Sequence, residues 1–329
     1  MTVSATPARI VRRRVDGVLL LDKAQGLSSN QALGRVKYLF RALKAGHSGT
    51  LDPMATGLLP VFLGEATKFS QHGLDADKEY EALVMLGITT TTGDVEGEVI
   101  SQKPVNVTGA EAKDLVNNLK GEQDQMPPMF SALKHQGRPL YDYARRGIQV
   151  ERKPRPISIY EAELLDYEPP VLRMRVACSK GTYIRSLAEA LGERAGCGAH
   201  LIGLRRTRAA KLHIDQAVTL EKLNQMDTEA LMKQLLPVDY VLQDWPSLQL
   251  NQAQALKFRH GQAVPFTDHS GVPINTVQHA KLINVMNPND NLQSGALRVY
   301  SDTKEFLGLA SCKAGLLQPD RLIAPASCE

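Results

Sequence analysis

Two spacings of apolar residues alternate along this chain, and each marks a different kind of element. Over residues 79–86 the side chains alternate, placing Tyr80, Ala82, Val84 and Leu86 on one face of a strand. Residues 171–179 do the same, with Leu172, Met174, Val176 and Cys178 on one side and Arg173 and Arg175 on the other. The uninterrupted apolar runs at 15–22 and 58–63 read as short buried strands. Helical spacing takes over after Ser28, an N-cap, where Leu33, Val36, Phe40 and Leu43 recur to about residue 43. It returns at 182–194 with Ile184, Leu187 and Leu191 aligned.

Between these elements two stretches break the pattern. Residues 45–53, with two glycines and a closing proline, predict a loop rather than helix or strand. Residues 126–156 are rich in Pro, Gly, Arg and Tyr and read as an arm leaving the core, with a short helix at 140–146. Long excursions from compact domains usually serve a function. Beyond Trp245, short apolar runs at 280–285, 296–301 and 305–311 alternate with polar turns, which predicts a small, mostly β unit.

Composition adds a partner. With 43% hydrophobic and 22% charged residues over 329 positions, the chain can bury a substantial core. No stretch approaches the roughly 20 apolar residues of a membrane helix, and no signal-peptide core follows Arg12-Arg13-Arg14, so the expected location is cytoplasmic. The four cysteines are scattered and form neither a disulfide framework nor a zinc knuckle. Charge is segregated. Residues 1–45, 134–155 and 173–211 together hold 25 Lys and Arg against 6 acids, whereas the remainder holds 14 against 29. Converging in space, those windows would line a cationic cleft suited to a phosphate backbone.

Motif chemistry narrows the classes. There is no phosphate-binding P-loop, no H-E-x-x-H, no G-x-S-x-G elbow and no histidine cluster, so metal-assisted hydrolysis and nucleotide-driven chemistry lose their usual supports. Asp52 stands out. An Asp before Pro in a glycine-rich loop ordinarily caps a turn, but His47 lies five residues earlier, and the two glycines let backbone approach a ligand.

The string Gly46-His47-Ser48-Gly49-Thr50-Leu51-Asp52-Pro53-Met54-Ala55-Thr56-Gly57-Leu58-Leu59-Pro60 resembles the signature of the TruB family of tRNA pseudouridine synthases. Further matches follow in the family's order: Gly64-Glu65-Ala66-Thr67-Lys68, Asp77-Lys78-Glu79-Tyr80, Ser131-Ala132-Leu133-Lys134, Cys178 through Leu187, and Gly203-Leu204-Arg205-Arg206. The resemblance implies an α+β fold, with a mixed-sheet catalytic domain over residues 10–245 and a PUA-like β-barrel over 246–329. It also implies isomerisation of uridine to pseudouridine at position 55, in the T loop of tRNA. No metal, cofactor or obligatory protein partner is expected.

Residue by residue, the resemblance gives Asp52 the role of nucleophile, for which a carboxylate needs no activating base. Attack at C6 of the base, attack at C1′ of the ribose and passage through a glycal all remain open. Arg185 matches the arginine that pairs with this carboxylate, and Tyr80 the tyrosine that lies against the target base. Tyr183 and Leu204 are expected to line the uracil pocket. His47 matches the histidine that enters the RNA when the base is flipped out. Lys68 and Asp94 match polar positions near the site. Lys134, Arg138, Arg145 and Arg146, with Tyr141 and Tyr143, furnish an RNA-gripping arm over 126–156. Two other readings use the same cationic windows: a tRNA-folding chaperone whose catalysis is secondary, and a guide-dependent relative acting on ribosomal RNA. Asp52, Tyr80 and Arg185 together favour catalysis over the first, and the lack of a long basic tail disfavours the second.

Overall fold

The computed structural model describes residues 11–265, 296–313 and 315–325. Its central feature is a ten-stranded sheet. The apolar run at the start forms β1 (Gly17–Lys23), and β3 (Thr56–Leu63) pairs antiparallel with it, both almost wholly buried. The alternating segments form β4 (Lys78–Leu86) and β7 (Val171–Cys178), antiparallel neighbours in which Tyr80 lies across from Val176 and Ala82 from Met174. With β5 (Gly121–Gln125), β6 (Arg155–Glu168), β8 (Ala199–Ala209) and β9 (Val218–Thr219) added, the main path runs β9-β1-β3-β8-β4-β7-β6-β5. The β1–β9 and β3–β8 pairings are parallel and the others antiparallel, so the sheet is mixed.

One face of this sheet is covered by helices. Helix α1 (Ser29–Leu39) starts at Ser28, whose hydroxyl accepts the Gln31 N–H while the Gln31 side chain returns to the Ser28 N–H. Helices α2 (Gly109–Asn117) and α4 (Ile184–Arg194) add Ala112, Val116, Leu187 and Leu191 to the same core as Tyr80, Ala82 and Val84. In the arm, the hairpin Lys134–His135/Arg138–Pro139 leads into α3 (Leu140–Ala144).

Two expectations shift at their edges. Helix α1 ends before Leu43, because Arg41 takes a left-handed φ of 51° and the Ala42 N–H bonds back to Lys37 O. A left-handed residue other than glycine leaves no sequence mark. Residues 45–47, read as loop, form the short strand β2 (Ala45–His47), captured by the free edge of β3. Tertiary pairing overrides local composition there.

The C-terminal segment forms a second sheet of five strands: β10 (Ser247–Gln249), β11 (Val264–Pro265), β12 (Ala296–Tyr300), β13 (Phe306–Lys313) and β14 (Leu316–Leu322), ordered β10-β12-β13-β14-β11. Helix α5 (Gln252–Arg259), which the alternating pattern did not announce, closes its core through Ala255 and Phe258. The strand expected at 280–285 lies outside the described residues. The two sheets meet where Phe69 packs edge-on against Phe306, ring centres 5.6 Å apart. Lys68 Nζ donates to Leu322 O (2.8 Å), and Glu65 Oε2 accepts the Ala324 N–H (2.7 Å). The fold is therefore α+β, a mixed sheet with a small C-terminal β unit. Among the described residues no helix is long and apolar enough to cross a membrane.

Candidate active site

Asp52 is presented by a loop with little freedom. The Ser29 hydroxyl, buried at the start of α1, accepts the Leu51 N–H (2.8 Å) and donates to Leu51 O (3.0 Å). On the other side Ala55 N–H closes a turn on Asp52 O (3.0 Å), and Gly26 N–H reaches Pro53 O (2.8 Å). The carboxylate emerges from this frame half-buried, its side chain 35% exposed.

Arg185, in the first turn of α4, reaches it with Nε 3.1 Å from Asp52 Oδ2, while only 5% of the arginine side chain is exposed. Both terminal nitrogens of the guanidinium are engaged as well. Nη1 lies 3.4 Å from Asp94 Oδ2 and donates to Thr92 O (3.2 Å), and Nη2 donates to Phe130 O (2.6 Å). Asp94 is itself fixed by Thr92 Oγ1 (2.6 Å) and the Glu96 N–H (3.0 Å). One fork thus orients the Asp52 carboxylate, anchors a second acid and ties down the root of the arm at Phe130.

Burial pushes the Asp52 carboxyl above its ordinary value; Arg185 opposes this most strongly, Asp94 adds to it and Lys23 lowers it. Lys23, which sequence reasoning missed, is fully enclosed and donates to Ala24 O (3.0 Å) and Leu27 O (2.6 Å). Burial brings its ammonium down to about 8, against the pull of Asp52. Its only sequence signal was a charged residue closing an apolar strand.

Tyr80 approaches from β4, with its ring buried and its phenol pushed up by burial. Leu204 lies across from Ala82 on the same sheet face. Tyr183 precedes α4 and is held by Gln125, which accepts its N–H (2.8 Å) and donates to its carbonyl (3.0 Å). The Asp52 charge acts on both phenols, each raised chiefly by burial. His47 ends β2 with Nδ1 buried and unpartnered; burial and the nearby Arg206 cation lower its basicity and favour a neutral ring.

The structure therefore brings Asp52, Tyr80, Tyr183, Arg185 and Asp94 together, with His47 beside them across Arg206. Lys68 is placed elsewhere. Its ammonium is taken by Glu65 (2.6 Å) and Leu322 O, so it fastens the C-terminal strand and is not among the charges acting on Asp52. In the arm, Lys134, Arg138, Arg145 and Arg146 are all exposed, and the Arg145 guanidinium lies 5.5 Å over the Tyr141 ring.

The basic windows do not converge as expected. Arg173 and Arg175 project from the opposite face of the sheet and pair with Glu81 at 2.6 and 3.3 Å. Arg205 pairs with Asp22 (2.8 Å) and Arg208 with Glu79 (3.8 Å). Strand alternation sends neighbouring arginines to opposite faces, so only part of the 173–211 window reaches the site.

Comparison with known proteins follows this geometry. Residues 37–184 match the TruB family pseudouridylate synthase N-terminal domain, 185–243 the tRNA pseudouridylate synthase B C-terminal domain, and 246–323 the pseudouridine synthase II TruB C-terminal family. The chain is 49% identical over 317 residues to a tRNA pseudouridine synthase B from Methylobacillus flagellatus, covering 96% of this chain and 98% of the relative. Its counterpart from Cupriavidus metallidurans is 51% identical over 323 residues, with 97% and 98% covered. Among solved structures, a Cbf5–Nop10–Gar1 complex contains a chain 26% identical with a TM-score of 0.66, covering 94% of this chain and 85% of that one.

Proposed function

Since the chain belongs to the TruB family of pseudouridylate synthases, it isomerises uridine to pseudouridine in tRNA, and we propose that the uridine is position 55 in the T loop and Asp52 the nucleophile. The reaction breaks the bond from C1′ to N1 and forms one from C1′ to C5; the C5 proton leaves and N1 gains one. No electrons enter or leave, so the rearrangement calls for no redox cofactor. The observation that carries the assignment is the Asp52–Arg185 contact of 3.1 Å, with the phenols of Tyr80 and Tyr183 close enough to feel the Asp52 charge.

Each open route, through C6, through C1′ or through a glycal, begins from an ionised carboxylate. Arg185 keeps Asp52 ionised against burial and aims it, a role suited to a planar fork. The target base must leave its stack to reach this site. Tyr80 then offers a ring face to the uracil, Tyr183 and Leu204 flank it, and His47, favoured neutral, enters the vacated stack without the cost of desolvating a charge. Asp94 braces Arg185 rather than touching the base. The arm's Lys134, Arg138, Arg145 and Arg146 grip phosphates, and Tyr141 and Tyr143 offer stacking surfaces. We assign residues 10–245 to catalysis and 246–329 to a PUA-like RNA-binding unit. The enzyme acts in the cytoplasm without an obligatory protein partner.

Asp52→Asn tests this reading directly. The variant should bind tRNA as the parent does, yet release no tritium from uridine labelled at C5 and leave position 55 unmodified. Substantial turnover by the variant would remove Asp52 from the role.

A further inference from the structure

One buried guanidinium in this fold has no carboxylate. Arg206 is 1% exposed, and among the described residues no ion pair includes it. A buried charge is costly unless its donors are satisfied. Arg206 spends them on the site. Nε donates to Leu58 O (2.7 Å) and Nη2 to Gly49 O (3.1 Å), and Arg206 stands directly across the β8–β4 ladder from Tyr80, whose phenol feels its charge.

The surrounding backbone is shaped for it. Gly49 has a φ of +82°, and a Cβ there would lie 3.1 Å from Arg206 Nη1. Gly49 belongs to the loop that carries His47 and Asp52, so a single side chain ties down that loop while standing beside Tyr80 on the neighbouring strand.

We propose that Arg206 is a positioning residue for the chemical step, holding the Tyr80 ring and the His47–Asp52 loop in one register. The proposal rests on the pseudouridine synthase reading. It acts through Tyr80 and Gly49 and makes no contact with phosphate.

The test uses full-length enzyme and tRNA transcript, with single-turnover rates at saturating RNA measured beside affinity. Arg206→Met should slow the rate about 100-fold, the scale of a small misplacement of reacting groups, with Kd within threefold. Arg206→Lys, which restores the charge and part of the bonding, should recover roughly tenfold of that loss on the same scale. Combined with Tyr80→Phe, the losses should be well below multiplicative, since the two residues are direct cross-strand neighbours. Should Arg206→Met fail to fold, Gly49→Ala provides the second probe and should lose rate while retaining affinity. A parental rate in either variant, or a loss confined to Kd, would overturn the proposal. Wild-type enzyme that makes no pseudouridine in tRNA would instead overturn the functional reading beneath it.

Discussion

Ser29→Ala offers the sharpest check on how the catalytic loop is held. The Ser29 hydroxyl meets both polar groups of Leu51, accepting its N–H at 2.8 Å and donating to its carbonyl at 3.0 Å. Ser29 is 1% exposed and Leu51 3%, so water does not readily take over either bond. Each buried group left unpaired costs about 1–3 kcal/mol. Two such groups, offset by about 0.5 kcal/mol from alanine's better helix propensity, give an expected loss of about 1.5–5.5 kcal/mol. That is a large share of the roughly 5–15 kcal/mol by which folded domains are usually stable.

Ser28→Ala is the control, one residue away in sequence. It removes an ordinary N-cap acceptor for Gln31 N–H, worth about 1 kcal/mol, and leaves the loop clamp intact. Urea unfolding should therefore separate the two variants by midpoint at equal slope. Single-turnover rates should separate them further, because freeing Leu51 displaces the next residue, Asp52. Equal midpoints, or a Ser29→Ala enzyme with the parental rate, would refute the idea that one hydroxyl fixes the loop.

Two further outcomes follow from the charged groups. Burial, seconded by Asp94, raises the Asp52 carboxyl while Arg185 restrains it. In the proposed reaction the carboxylate is the reactive form, so activity should fall as pH drops through that group, and Arg185→Met should move the acid limb of the residual single-turnover profile to higher pH. An unmoved limb, or one shifted to lower pH, would count against the pairing. Lys68→Met should speed hydrogen exchange in β14, whose Leu322 carbonyl it holds, while leaving the rate at saturating tRNA within about twofold, since loss of one charge-assisted bond costs about 1.5–3 kcal/mol locally. Unchanged exchange would show that the anchor carries no weight.

Much of the frame was legible because period-two alternation is unambiguous when one sheet face is buried. Tyr80, Ala82, Val84 and Leu86 could be assigned to the inner face of β4 before any coordinates. Helix α4 was equally clear from Ile184, Leu187 and Leu191. The arm announced itself by its prolines and arginines. Lys23 and Arg206 were not legible: both are charged types that usually face water, and only the convergence of strands encloses them. Helix α5 had a visible signal in Asn251 and Gln254, a capping box, but its polar sequence drowned the periodicity. Lys68 lies in the family string in sequence and yet away from Asp52, because a helical turn after β3 carries it to the C-terminal sheet.

The divided basic windows show why a tally of charge along the chain is a poor guide to an RNA surface. Arg205 and Arg206 are adjacent, yet one pairs with Asp22 on one face of the sheet and the other is sealed beneath Tyr80 on the opposite face. Neither has charge to spare for a phosphate. Arg173 and Arg175 are exposed but already bridged to Glu81 and Glu163. In the arm, Lys134, Arg138, Arg145 and Arg146 have no ion-pair partner among the described residues and face solvent, as do Arg12, Arg13, Arg35, Arg41 and Lys44. Counterions condensed on RNA are released only by cations free to replace them. On the proposed reading, salt dependence of affinity should fall on such unpaired surface cations, the arm's four among them, while the buried Arg185 and Arg206 spend their charge inside the fold.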